Sequence, residues 1–127
     1  MEKNEVFSFE KLDVWKLSRS YCKKVYLLIG RFPLEERFGL CDQLRRSVLS
    51  VPSNIAEGCG RISHKEKNHF VEIAYGSLME SFCQLQIAYD LGYLTQEEVD
   101  SLRSDAQIIA KMLKSLRQSY QRRLNSE

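Results

Sequence analysis

Apolar residues recur along most of the chain at alternating steps of three and four, the spacing that lines up one face of an α-helix. Trp15, Ser18, Cys22, Val25, Ile29 and Phe32 form the first such stripe and predict a helix over about 13–31. Pro33 stops it, because the residue before a proline is pushed out of helical geometry. After a connection from Leu34 to Gly39, a second stripe of Leu40, Leu44, Ser47, Val51 and Ile55 predicts a helix over about 40–59. Pro52 lies inside it. Its ring crowds the preceding turn and its missing N–H frees the carbonyl of Val48, so a bend is expected there, with serine hydroxyls helping to satisfy the freed groups. Gly58 and Gly60 are placed to close the helix with a left-handed cap.

Ser63-His64-Lys65-Glu66 has the form of a capping box and opens a third helix over about 64–91. Phe70, Ile73 or Ala74, Ser77, Leu78, Ser81, Leu85 and Ala88 or Tyr89 make its inner face. The small residues Ala74, Gly76, Ser77 and Ser81 admit a close neighbour, and Gly92 ends the helix. Thr95-Gln96-Glu97-Glu98 is a second capping box. From it Val99, Leu102, Ala106, Ile109, Leu113, Leu116 and Tyr120 run through a helix over about 96–123. No stretch alternates with a period of two between turn signals. The fold class that follows is all-α, an antiparallel up-and-down four-helix bundle with its second helix bent at Pro52. The expected organisation is a single domain over 1–127. Residues 1–10 form a loosely ordered arm whose Val6, Phe7 and Phe9 are free to pack on this subunit or another, and 124–127 form a tail.

Composition adds boundaries rather than a function. With 127 residues, 43% of them hydrophobic and 28% charged, the chain has the make-up of one ordinary globular domain. No apolar run approaches the roughly 20 residues that a membrane span needs, and Met1–Glu5 lacks the apolar core of a signal peptide, so a cytoplasmic protein with no membrane partner is expected. Cys22, Cys41, Cys59 and Cys83 are scattered, without a Cys-x-x-Cys pair, and each is read as a small buried hydrophobe.

Candidate chemistry is sparse. His64 and His69 are five residues apart, not at the spacing of a zinc-binding helix, and no Gly-x-x-x-x-Gly-Lys, Gly-x-Gly-x-x-Gly or Gly-x-Ser-x-Gly motif is present. No histidine follows Glu57, Glu72 or Glu80 by three, so a di-metal carboxylate site is not expected. The chain is read as having no catalytic residues, metal, cofactor or small-molecule substrate. The polar stretch from Ser50 to Gly58 then stands as either a seam inside the bundle or the face of a site. Asn54 and Glu57 on the second helix and Ser77 and Glu80 on the third are placed to meet as a structural polar seam that fixes helix register.

Charge is small in sum, +2, and uneven in distribution. Residues 70–110 hold one basic and seven acidic side chains, and residues 111–127 hold five basic and one acidic. Lys111, Lys114, Arg117, Arg122 and Arg123 on the last helix exceed what the helix dipole calls for, and Arg45, Arg46 and Arg61 belong to a second basic group with Lys65 and Lys67. The first eight of these arginines and lysines are the candidate nucleic-acid contacts. The acidic stretch Glu97, Glu98, Asp100 and Asp105 is equally suited to a basic face on another subunit or partner, which leaves a purely protein-binding adaptor open.

Phe9-x-x-Leu12-x-x-Trp15, Phe32-Pro33-x-x-Glu36, Gly39-Leu40-x-x-Gln43-Leu44-Arg45-Arg46, Ser50-x-x-x-Asn54-Ile55-Ala56-Glu57-Gly58 and Phe70-x-x-x-Ala74-x-Gly76-Ser77-x-x-Glu80 together resemble the bacterial 23S rRNA intervening-sequence proteins over about residues 9–94. That family is similar to the accessory variability determinant of diversity-generating retroelements, a basic bundle that binds nucleic acid. The resemblance implies a four-helix bundle without enzymatic activity that assembles as a homo-oligomer, a pentamer. It also implies a partner that is RNA or a nucleic-acid-binding protein.

Overall fold

The stripes close on one another in chain order. In the computed structural model, which describes residues 6–127, the helices are α1 (Asp13–Ile29), α2 (Leu40–Cys59), α3 (His64–Asp90) and α4 (Gln96–Ser126), with no strand among the described residues. Each step up one helix is matched by a step down the next: Ser47 meets Gln84 and Ser50 meets Ser77, while Lys24 meets Asp105 and Arg31 meets Glu98. Neighbours are therefore antiparallel. The α2–α3 contact is the most extensive, followed by α3–α4, and α1 lies against α2 and, less closely, α4.

The core is the heptad residues with one shift. Val14, Ser18, Tyr21, Val25 and Ile29 are the buried residues of α1, and Trp15 and Cys22 flank them half-buried. The buried stripe thus runs through Tyr21, one residue away from Cys22, because a straight 3.6-residue helix drifts across a 3.5-residue pattern. In α2 Val48 joins Leu44, Val51 and Ile55. In α3 the alternative Ile73 or Ala74 resolves to Ala74, with Ile73 left exposed. Val99, Leu102, Ala106, Ile109, Leu113 and Tyr120 are buried in α4 as their spacing predicts.

Several boundaries differ from the sequence expectation. α1 ends at Ile29, and Gly30 closes it by donating its N–H to the carbonyl of Tyr26, so Arg31 and Phe32 already belong to the turn. α4 continues to Ser126, which makes 124–126 helix instead of a tail, with the Ser126 hydroxyl donating to the carbonyl of Arg122. The lead-in is better held than expected. Ser8–Lys11 form a 3-10 turn, the Phe7 N–H donates to the Glu10 carboxylate, and Phe9 meets Trp15 edge-on at 4.9 Å; Met1 to Glu5 lie outside the described residues. Gly60 is right-handed with φ −85°, and the left-handed cap is instead Gly92 with φ 84°. Ser63 caps α3 by accepting from the Glu66 N–H, without the reciprocal bond from Glu66, whereas the Thr95–Glu98 box forms in both directions. Of the cysteines only Cys41 is buried. Cys22 and Cys59 are half-buried, and Cys83 is exposed on α3.

α1 and α3 lie diagonally opposite and meet through one buried hydrogen bond, Tyr21 to Ser81, at 2.9 Å. Ser81 already donates to the carbonyl of Leu78, so Tyr21 is the donor in this pair. Burial pushes the Tyr21 hydroxyl up to about 12. The pair predicts an asymmetry. Tyr21→Phe leaves Ser81 satisfied by Leu78 and costs about 0.5–1.5 kcal/mol, whereas Ser81→Ala strands a buried phenolic hydroxyl and costs about 1–3 kcal/mol. Chemical denaturation of the two variants checks the order.

Candidate nucleic-acid interface and polar seam

The stretch from Ser50 to Gly58 faces α3, and its polar atoms divide between two tasks. Ser50 Oγ lies 2.8 Å from Ser77 Oγ, and Asn54 Nδ2 donates to Ser50 Oγ and to the Ser50 carbonyl, both at 2.8 Å. One turn earlier Ser47 donates to Gln84 Oε1 at 2.7 Å, and Gln84 donates to Glu80. These hydroxyls join α2 to α3 instead of serving the carbonyl of Val48 that Pro52 frees, and α2 stays one helix through the buried proline. Glu57 does not reach Ser77 or Glu80. It forms an i,i+4 ion pair with Arg61 on the surface, while Glu80 is exposed on α3. The atoms that cross from α2 to α3 are thus those of Ser47, Ser50, Ser77 and Gln84, held by Asn54 and Glu80 from the same helices.

At the end of this stretch Gly58 marks a close approach. A Cβ there would stand 3.1 Å from Phe70 Cβ and 3.3 Å from the Lys67 carbonyl. Glycine is favoured by that proximity and not by its backbone, which is ordinary helix: a larger residue would push Phe70 and the Lys67 carbonyl back by a few tenths of an ångström.

The candidate basic residues fall into two groups that differ from their grouping in sequence. Arg61 follows α2 and Lys65 and Lys67 open α3, so they share one end of the bundle with the last turns of α4. There His64 Nδ1 meets Glu127 at 2.6 Å, Asn68 donates to Gln121 and Lys67 lies over the Tyr120 ring. Arg45 and Arg46 occupy the opposite half. The level of Gln84, which bonds Ser47, is about 18 Å along α3 from the level of Glu72, which pairs with Arg117.

Engagement separates them further. Arg61 is tied twice, to Glu57 and over the Phe70 ring at 4.7 Å, and so braces the α2–α3 corner. Arg117 pairs with Glu72 at 2.7 Å across α3 and α4, Arg46 lies 3.7 Å from Asp42, and Lys114 sits 5.6 Å from the Tyr75 ring centroid. Exposed pairs of this kind contribute little and exchange easily with solvent or a ligand. Lys111, Arg122 and Arg123 are exposed, and with half-buried Arg45 they make no ion pair among the described residues.

A model of the 23S rRNA-intervening sequence protein family matches residues 10–115. The chain belongs to that family. Its structure resembles the crystal structure of a protein with unknown function from the S23 ribosomal protein family of Bacteroides thetaiotaomicron. The TM-score is 0.74 at 25% identity, over 82% of this chain and 97% of that one. No curated protein matches the chain. The family match spans all of α1 to α3 and most of α4, and ends before Arg117, Arg122 and Arg123.

One basic group lies beyond the residues singled out by sequence, and one small residue singled out there, Gly76, has no close neighbour. On α1, Lys16, Arg19 and Lys23 add a third basic surface; their i, i+3, i+7 spacing is the legible signal. Between α3 and α4, Gly76 stands in mid-helix, where glycine costs roughly 0.5–1 kcal/mol relative to alanine, and a Cβ on it would meet no atom within 4 Å. Among the described residues no group of three histidine, cysteine or acidic side chains is placed to hold a metal ion, and no helix is long and apolar enough to cross a membrane.

The acidic stretch is partly engaged within the chain. Glu98 pairs with Arg31 at 2.5 Å and Asp105 with Lys24 at 2.7 Å, clasping α4 to α1. Accepting the Thr95 N–H, with Arg31 beside it, holds the Glu98 carboxyl below its ordinary value of 4.5. The stability this carboxylate contributes is fully present above the ordinary value and is lost as the pH falls through the depressed one. Glu98→Gln is expected to lower the denaturation midpoint at pH 7, and the gap from wild type should close as the pH falls below 4.5. Urea titrations across that range measure it.

Proposed function

We propose that this family member is a non-enzymatic, homo-oligomeric scaffold of the cytoplasm that binds structured RNA or a ribonucleoprotein partner through its basic surfaces. The observation that carries the reading is the basic end of the bundle, where Lys114, Arg117, Arg122 and Arg123 on α4 stand on the same end as Lys65 and Lys67 on α3. Arg122 and Arg123 have no acidic partner among the described residues. Phosphate backbones are bound by such sets through release of counterions, with little demand on sequence.

Assembly is supported by α3. Ile73, Met79 and Ile87 are exposed along the outside of a helix whose opposite side is the core, and Leu91 just past its end is exposed too, so α3 is apolar beyond the one face that a solitary bundle needs. Repeated copies, five in the number that the family resemblance implies, multiply a modest basic patch into a higher avidity. The adaptor alternative rests on the acidic stretch, and it keeps only Glu97 and Asp100 free of ion pairs, since Glu98 and Asp105 serve the α1–α4 clasp.

Gel-shift titrations against ribosomal RNA and duplex DNA at several salt concentrations test the reading. The protein should shift RNA at low salt, with log affinity falling as log salt rises. Arg122→Glu with Arg123→Glu should weaken binding to every sequence and reduce the salt slope by about one for each phosphate that is no longer neutralised. The absence of a shift even at low salt sinks the nucleic-acid reading. A solution mass equal to the single-chain 14.8 kDa sinks the scaffold.

A further inference from the structure

Gly76 opens a groove between α3 and α4. Its floor is apolar, made by Val71, Tyr75 and Leu113, and it encloses about 310 Å³, the small end of the range for ligand sites. Its rim is charged: Lys114 stands 5.6 Å from the Tyr75 ring centroid, and Arg117 reaches across the mouth to Glu72 at 2.7 Å. Beyond the rim Lys114 and Arg117 also line a second, more polar depression with Gln118 and Gln121. The two cations therefore stand between an apolar hole and a polar track. Glycine weakens a helix interior relative to alanine, and a Cβ at Gly76 would touch nothing in this chain, so packing within the chain does not account for it.

We propose that this groove takes one unpaired nucleotide of a bound RNA. The base enters over Gly76 onto the half-buried Tyr75, with the buried Val71 and Leu113 closing the floor beneath, and the flanking phosphates lie on Lys114 and Arg117 along the track of Gln118 and Gln121. This deepens the RNA-binding reading above and rests on it. An apolar, partly aromatic surface beside paired cations is the chemistry that recognises a splayed-out nucleotide, whose flat base is buried while its phosphates stay solvated. Two cations face one carboxylate, so the rim favours an anion. Glu72 accepts hydrogen bonds, and a base amino group or a ribose hydroxyl supplies the donor once Arg117 turns to a phosphate. A base stacked inside a duplex does not reach the floor, so the groove separates looped or bulged RNA from uniform helix.

Fluorescence anisotropy with two labelled RNA hairpins tests this, one carrying a single unpaired purine in its stem and one fully paired. Wild type should prefer the bulged hairpin by about tenfold, a value within the range of one stacked base. Gly76→Leu fills the groove mouth with a better helix former. It should abolish that preference while leaving affinity for the paired hairpin unchanged, and Gly76→Ala should retain it. Binding of both hairpins equally by wild type overturns the nucleotide site and leaves the scaffold standing. Binding of neither overturns both. A preference that survives Gly76→Leu, or a Gly76→Leu protein whose solution mass differs from wild type, also overturns the proposal, the latter by assigning the groove to a second copy of the chain.

Discussion

Gly58 brings the end of α2 so close to the start of α3 that a Cβ would stand 3.1 Å from Phe70 Cβ, and further along the same contact Ser50 and Ser77 touch at 2.8 Å. Two short hydroxyl side chains bond across a helix pair only when the backbones are near, so the glycine and the serines express one constraint at two levels. Ser47 and Gln84 state it a third time. A slip of one turn would separate all three pairs and drive Phe70 into a different residue, so the register of α2 on α3 is strongly specified. A core of leucines and valines alone tolerates such slips more readily.

The other two helices inherit that register by different means. α4 lies along α3 through an apolar stripe from Val99 to Tyr120. α1 is held at the far corner by the Tyr21 hydroxyl reaching Ser81 and by the two clasps from Lys24 and Arg31 to α4. Exposed ion pairs add little stability, but they select orientation, because a helix presenting the wrong face would leave like charges opposed. Much of the acidity of residues 96–105 is explained by this, which leaves the basic end of the bundle as the larger unbalanced charge.

Helix α3 faces three ways. One side is core, one side meets α2 through polar atoms, and the side nearest α4 opens at Gly76 into a groove rimmed by Glu72, Lys114 and Arg117. Its outer residues Ile73, Met79 and Ile87 remain in solvent. These surfaces, together with the basic end of the bundle, are the ones that the proposed RNA-binding scaffold would use.

The period of the apolar residues was enough to read four helices, their order and most of their buried positions, because a 3.6-residue repeat leaves one face for the core and short connections favour pairing between neighbouring helices. Pro33, Thr95 and Gly92 act within a few residues of themselves, so their effects were legible too. Sequence spacing put Asn54, Glu57, Ser77 and Glu80 on facing helices without showing which would touch. Only the packing of α2 on α3 gave Ser77 to Ser50, while Glu57 took the local i,i+4 partner Arg61 instead of a residue of α3. It likewise separated Arg45 and Arg46 from the basic end that Arg61 joins. Which charges pair and which stay free depends on distances between helices, and those distances are set by small residues such as Gly58 whose contacts lie in another element.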